Sequence, residues 1–583
     1  MRRASQYFAL IVVILASSIL GQSPCEDLAR YPVRFAILGD RTGGHKEGVY
    51  EAIVKEVDLM RPDFVMTVGD HIEGYTSDTL ELKKQWDEYL GIIQPIKGLM
   101  HFTPGNHDIT YDGMEPTFRS RVGNPYYSFD TRGIHIVVLD NSRFENSDEF
   151  PPPQLEWLKR DLAENARACY TLVFFHKPMW YRTLGDGKPD PLHEILKSSG
   201  VDAVFSGHFH TYYSGEYDSI IYTDIGSSGA ETEQNLAGFT YHFGWVTIDS
   251  GGIHVVPIAK GAVLPREVTT TEQTRLAFTA QLTGLSLVEP LPLNDELKLE
   301  KDIVSVRLTN RVPQFSYSDT LRWELPEGWS IEPAVYPFSI AGDSSIIAQF
   351  TVVKSSKLNS LPALSTRLPY ETGRTVRVHR SLEVMRHAQC AKAGTGIVID
   401  GNLSESCWNA AQSLLLDNEF NPTKQDSSSF YFAYDHDNLY VAARCFESKV
   451  DSIRAALTER DAAVYTEDAV GFMIEPTTGV GLAYQIYVNP LGTIYDQRLE
   501  QQADGYWNGV TKWNGDYEVK TSRSGHQFTV ELRIPLAQLS ASAKSGDVWR
   551  LNFRRKQLRL NSAAAFQVPW GYDPKTYGEL RFE

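Results

Sequence analysis

The chain has 583 residues, 42% hydrophobic and 22% charged, with a net charge of −17 at pH 7. That length holds three or four domains of ordinary globular composition. The acidic balance argues against nucleic acid as a partner, because affinity for a phosphate backbone comes from clustered Lys and Arg.

Residues 1–23 read as a signal peptide: Arg2 and Arg3 precede an apolar stretch over 8–20, with the small residues Ser17, Ser18 and Gly21 in or after it. The stretch is short for an anchoring helix, and Ser23-Pro24 ahead of Cys25 suits lipid attachment poorly. The expectation is an exported protein, periplasmic or secreted, with no stable membrane insertion. Export permits disulfides, and Cys390, Cys407 and Cys445 lie in the last third, which points to one bridge among them. No C-x-x-C spacing offers a thiolate zinc site.

From residue 32 to 262, strand and helix patterns alternate. Val49, Ile53 and Val57, then Trp86, Leu90 and Ile93, then Leu155, Leu158 and Leu162 recur at helical spacing and read as core. The runs RFAIL, DFVMTV, LMHF, YTLVFF and VDAVFS are near-continuously apolar, as in strands covered on both faces. Each ends in a polar tip: Gly39-Asp40, Gly69-Asp70-His71, Gly105-Asn106-His107-Asp108, His176, and Gly207-His208-Phe209-His210. In an open α/β sheet the carboxyl ends of neighbouring strands share one crevice, so these tips should converge.

Carboxylates, an amide oxygen and imidazoles together suit divalent cations, and there are too many of them for one tetrahedral ion. A pair of cations about 3.5–4 Å apart, bridged by a carboxylate, makes hydroxide available at neutral pH and neutralises phosphoryl oxygens. Any one tip alone is more often a turn or a hydrogen-bonded core histidine. Five in order, each at a strand end, favour a site.

This ordered set, GD, GD, GNHD, a lone His and GHFH, resembles the calcineurin-like metallophosphoesterases, which include purple acid phosphatases. The resemblance implies an α/β four-layer sandwich. It also implies two divalent ions, Mn, Fe or Zn: Asp40, Asp70 and His210 on one, and Asp70, Asn106, His176 and His208 on the other. His107 would stand beside the leaving group, oriented by Asp108. The family's first motif is D-x-H, whereas this chain reads Asp40-Arg41-Thr42, leaving that metal one ligand short. Purple acid phosphatases place a Tyr three residues after the bridging Asp. Glu73 occupies that position here and is the preferred replacement ligand, with His71 and His45 behind it.

Two loops, 117–127 and the stretch after His176, offer Arg119, Arg121, Lys177, Trp180, Tyr181 and Arg182; Arg119 and Arg182 are the candidates for holding substrate. The alternative for both loops is a solvated surface with snorkelling side chains. Short β-like runs over 272–386 suggest an immunoglobulin-like β-sandwich spacer.

Residues 388–583 form a further β-rich unit. Its order, from IDGNLSESCWNAA through DAVGFMIEP to GDVWRLNFRR, resembles the family-nine carbohydrate-binding modules. Trp507, Trp513 and Trp570 are candidate sugar platforms, while Trp408 and Trp549 sit among apolar neighbours and read as core. Tyr465 and Glu467 occupy positions that flank a strand in sugar-binding members, but Gly471 stands where a Glu is frequent.

The chain thus reads as a multidomain protein, an α/β sandwich followed by β-sandwich domains. Its expected activity is hydrolysis of a phosphorylated small molecule or phosphodiester by attack of metal-bound hydroxide, with glycan as a second partner of the last domain. The competing reading is a polysaccharide-binding protein whose phosphatase fold has lost turnover.

Overall fold

The computed structural model describes residues 24–583 apart from 233–235, 237–239, 395–396, 409–410, 418–420 and 503–506. The expected signal peptide lies outside the described residues. The chain divides into two compact units, Met1–Thr274 and Arg275–Glu583.

In the first unit, one six-stranded sheet has the order β12 (Ala262–Val263), β11 (Gly252–Ala259), β10 (His242–Asp249), β1 (Val33–Leu38), β2 (Phe64–Thr67), β3 (Met100–His101). Strands β1 to β3 are parallel, and β10 is antiparallel to β1. The second sheet runs β4 (Tyr127–Thr131), β5 (Ile134–Val138), β6 (Tyr170–Phe174), β7 (Ala203–Ser206), β9 (Ile220–Asp224), β8 (Tyr213–Tyr217). It is parallel from β5 through β9.

Because successive strand residues face opposite ways, Phe35, Ile37, Phe64 and Met66 enter a core shared with Ile136, Val138, Leu172, Phe174 and Phe205 of the second sheet. Their neighbours Ala36, Leu38 and Val65 pack the other way, onto Tyr50, Ile53, Val54 and Val57 of α2 (Val49–Met60) and Leu82, Trp86 and Tyr89 of α3 (Thr79–Ile92). Each large side chain buried in this way stabilises the fold by about 1.5–3 kcal/mol. Helices α5 (Pro152–Glu164) and α7 (Pro191–Ser198) bury Leu158, Leu162, Leu192 and Leu196. The layers are therefore helix, sheet, sheet, helix.

Three expectations need correction. The tips belong to two sheets rather than one: β1, β2 and β3 supply three, β6 and β7 the other two. The segment expected as a loop over 117–127 begins as helix α4 (Glu115–Val122), entered through Pro116 and held by the Glu115–Arg119 pair one turn apart. The only disulfide among the described residues joins Cys25, on α1 (Pro24–Arg30), to Cys169, 144 positions away. Cys390, Cys407 and Cys445 are free and buried. Cys390 and Cys445 lie on strands separated by a third, hence about 10 Å apart, and Cys407 belongs to a different apolar cluster; a bridge needs Cα atoms within about 7 Å.

In the second unit, two four-stranded sheets between Leu285 and Ser381 alternate buried and exposed residues, as in Ile303–Asn310. A twelve-stranded sheet follows. Phe430, Phe432, Val441, Phe472, Ile486, Val530, Leu551 and Phe553 fill its core. Trp408 and Trp549 are buried, as the sequence indicates.

Candidate metal centre

The centre is assembled where the carboxyl ends of β1, β2, β3, β6 and β7 are followed by loops. The donor atoms of Asp70, His176 and His208 all lie within 4.8 Å of one another, and so do those of Asp40, Asp70 and His210. Asp70 belongs to both groups. Asn106 joins the first, with its Oδ1 2.9 Å from His176 Nε2. All six side chains singled out from the five tips thus meet, across 170 positions of chain.

Unusual backbone conformations aim them. Asp70, His208 and His210 have φ of 56°, 75° and 53°, in the left-handed region that side chains rarely adopt. Such strain persists only where surrounding contacts hold it. Gly69 has φ 108°, and a Cβ there would lie 2.5 Å from His176 Nδ1 and 2.8 Å from the Gly105 Cα. Only glycine lets the second and third tips approach so closely.

Backbone carbonyls orient the imidazoles. His176 Nδ1 donates to the Val68 carbonyl at 2.7 Å, His210 Nδ1 to Glu231 at 2.6 Å, and His107 Nδ1 to Glu73 at 2.8 Å. Each bond leaves Nε2 as the nitrogen facing the centre, the usual way a ligating histidine is set.

His176 Nε2 meets Asp70 Oδ2 at 3.1 Å and Asn106 Oδ1 at 2.9 Å, and His210 Nε2 meets Asp40 Oδ2 at 3.3 Å. The backbone N–H groups of His208 and His107 donate to Asp40 Oδ2 at 2.8 Å and to Asp70 Oδ1 at 2.9 Å, while Asp40 Oδ1 is buried without a hydrogen-bond partner. Buried charge is costly unless compensated, so this donor set fits one or more cations. The protonation pattern agrees. Burial pushes the His176 imidazole down, but the carboxylates of Asp70 and Asp40 lift it to about 9. Burial would raise the Asp70 carboxyl, yet His176, His107 and His208 hold it far below the ordinary range. Burial first, then His176 and Lys177, pushes His208 well below its usual value, so it presents a neutral ring.

Several residues take places other than those expected. Asp108 does not orient His107; its carboxylate accepts from the backbone N–H groups of Asp70, His71 and Gly105 and from His71 Nδ1, all at 2.8–2.9 Å. It ties the second tip to the third, and the Glu73 carbonyl holds His107 instead. Glu73 joins neither donor group, because its backbone faces His107 while its carboxylate turns to His45 Nδ1 at 2.7 Å. His71 is buried against Asp108 and Thr67. Thr42, where the family motif has His, is fully buried.

Arg119, on α4, is engaged by Glu115 one turn before it and by Asn124 just past the helix end. Arg182, on the short helix α6 (Trp180–Thr183), lies over the ring of Phe209, the residue between His208 and His210 in the chain, with its guanidinium carbon 5.9 Å from the ring centre. Tyr75 was not singled out from the sequence. Its hydroxyl accepts from Asn106 Nδ2 at 2.9 Å and its ring meets that of His107 edge-on, 4.8 Å between centres.

In the second unit, Glu467 is buried and accepts from the Ala456 and Leu457 N–H groups and from Asn489, so its oxygens serve the fold. A Cβ at Gly471 would lie 2.5 Å from the Tyr487 ring, which leaves no room for the Glu frequent in sugar-binding relatives. Tyr465, Tyr487, Tyr495 and Trp570 form a continuous aromatic cluster, with Arg554 over Trp570. Trp513 packs against the central core and Tyr484, and Trp507 packs near Met473 and Leu499.

Residues 33–212 match the calcineurin-like phosphoesterase family, and residues 399–566 match the carbohydrate family 9 binding domain-like family. Purple acid phosphatase 22 of Arabidopsis thaliana is 30% identical over 208 residues, 31% of this chain and 45% of that protein. Serine/threonine-protein phosphatase CPPED1 of Danio rerio is 30% identical over 182 residues, 27% of this chain and 58% of that one. The chain spans about half the length of the curated relatives it matches. Among solved structures, a dimetal phosphatase from Danio rerio aligns over 40% of this chain and 98% of its own, with 13% identity and a TM-score of 0.30. A family 9 carbohydrate-binding module from Caldicellulosiruptor kristjanssonii, in complex with cellotriose, aligns over 34% and 93%, with 17% identity and a TM-score of 0.25. The chain therefore carries a calcineurin-like phosphoesterase domain followed by a carbohydrate family 9 binding-like domain.

Proposed function

We propose that the protein is an exported, dinuclear metal-dependent phosphoesterase that hydrolyses a phosphate mono- or diester. The observation that carries this reading is Asp70, shared between two donor groups that each fit a divalent cation. Cations held there would polarise the phosphoryl oxygens and make water nucleophilic at neutral pH. Asp70 would serve both cations, with Asn106, His176 and His208 completing one group and Asp40 and His210 the other. His107, fixed through Nδ1, presents Nε2 to the leaving group as acid or electrostatic stabiliser. Arg182, stacked over Phe209 next in sequence to His208 and His210, serves as a contact for the rest of the substrate.

Export is supported by the Cys25–Cys169 bridge, since structural disulfides form and persist in oxidising compartments. It also engages the one cysteine near the N-terminal apolar stretch. The aromatic cluster around Trp570 supports a glycan-docking role for the last domain. We assign domain limits of 32–262, 272–386 and 388–583.

The test compares hydrolysis of p-nitrophenyl phosphate and its bis ester, with added Mn or Zn, by the wild type and by Asp70→Ala, alongside metal analysis. Expected are two bound equivalents, activity abolished by chelation, and a loss of roughly a thousandfold in the variant. Absence of turnover on both esters, together with retention on a glycan column, would instead support a binding protein with an incomplete first metal group.

A further inference from the structure

We infer that Tyr75 is a positioning and specificity-determining residue of this centre: its hydroxyl sets the amide of Asn106, and its ring walls the leaving-group side of the site. The inference rests on the phosphoesterase reading above. It comes from the turn Glu73-Gly74-Tyr75, which grips both working residues of the third tip at once.

The amide of Asn106 has two ends and only one orientation is useful. Its nitrogen donates to the Tyr75 hydroxyl at 2.9 Å, which directs Oδ1 toward His176 Nε2 at 2.9 Å and so into the donor group. An amide flipped about its last bond would point N–H groups at the cation site, where a donor cannot ligate. By accepting from Nδ2, the Tyr75 hydroxyl anchors the nitrogen end of the amide on the side away from His176.

The same turn holds His107. Its Nδ1 donates to the Glu73 carbonyl, and the Tyr75 ring stands at 84° to the imidazole plane. The turn is pressed tightly on that tip: a Cβ at Gly74 would lie 1.7 Å from the His107 carbonyl oxygen, and both Gly74 and Tyr75 have positive φ, 59° and 49°. A tyrosine held in the left-handed region at this spot places a large ring beside the leaving-group residue, and 42% of its surface remains exposed. An exposed aromatic face there favours esters whose leaving group is itself a ring, through stacking and edge contacts.

The experiment uses the full-length wild type, Tyr75→Phe and Tyr75→Leu. Manganese binding to the metal-free proteins is followed by calorimetry, and KM and kcat are measured on phenyl phosphate and butyl phosphate. Circular dichroism and thermal melting check that the variants fold. Tyr75→Phe keeps the ring and loses the hydroxyl: one Mn site should weaken by roughly 10- to 100-fold, while the ratio of KM for the two esters stays as in the wild type. Tyr75→Leu should show the same weakening and, in addition, lose discrimination, its KM rising roughly 3- to 10-fold more for phenyl than for butyl phosphate.

Unchanged Mn binding in Tyr75→Phe overturns the positioning role. Equal changes in KM for the two esters in Tyr75→Leu overturn the wall, because a merely structural defect would not separate them. A wild type inactive on both esters would defeat the phosphoesterase reading and the wall with it, and the calorimetric comparison would still decide whether Tyr75 sets Asn106.

Discussion

Each unit of the molecule buries a cluster of charged groups, and the two clusters are filled differently. In the second unit Glu447 is buried beside the fully buried Arg555, and it also meets Arg559 at 2.8 Å, the Lys449 N–H and the Gln557 amide. Every carboxylate oxygen there has donors from the chain itself. In the first unit Asp40 and Asp70 are as deeply buried, yet Asp40 Oδ1 has no hydrogen-bond partner and His176 Nε2 faces only oxygens. Burial of charge alone does not mark a site. What marks one is a set of donor atoms whose valences the chain leaves open, aimed at one point by strained backbone.

That contrast can be broken by substitution. Glu447→Ala would leave Arg555 buried without its carboxylate, and we expect a loss of about 3–5 kcal/mol in chemical denaturation with kcat unchanged. A matching loss of stability in metal-free Asp70→Ala would erase the distinction, since a group kept for metal binding should matter less to the fold than to turnover.

The next effect is in pH. With His176 lifted to about 9 in the metal-free protein, a cation must displace its proton at any lower pH. Apparent Mn affinity should therefore rise about tenfold per unit up to roughly pH 9 and level off above it. Flat affinity between pH 6 and 8 in calorimetry would mean that no His176 proton is displaced, so that the ring is either neutral there or not a ligand.

The smallest expected effect concerns the two donor groups themselves. Asp40, Asp70 and His210 are three donors, whereas Asp70, Asn106, His176 and His208 are four. Thr42→His restores the family motif and should tighten the weaker Mn site on the order of tenfold, leaving the stronger one as it was. No change would indicate that the weaker group is completed by another residue.

Much of this centre was legible because its signals are local. A Gly-Asp or Gly-Asn-His-Asp directly after an apolar run is visible in a short window, and parallel strands bring such tips together. The amphipathic helices were legible for the same reason, with Ile53, Val57 and Trp86 buried as their spacing requires. The role of Asp108 was not, since its carboxylate meets Asp70 and His71 from 38 and 37 positions away. Nor was Tyr75, which meets Asn106 across 31 positions, nor the bridge from Cys25 to Cys169 across 144.

By itself the sequence determined which side chains are available to ligate and that each stands at the end of a strand, because polarity pattern and turn residues act over a few positions. Only the tertiary structure decided which of them meet. The packing of two sheets, the left-handed turns at Asp70, His208 and His210, and the hydrogen bonds that orient each ring depend on partners far apart in the chain, and no local pattern encodes that choice.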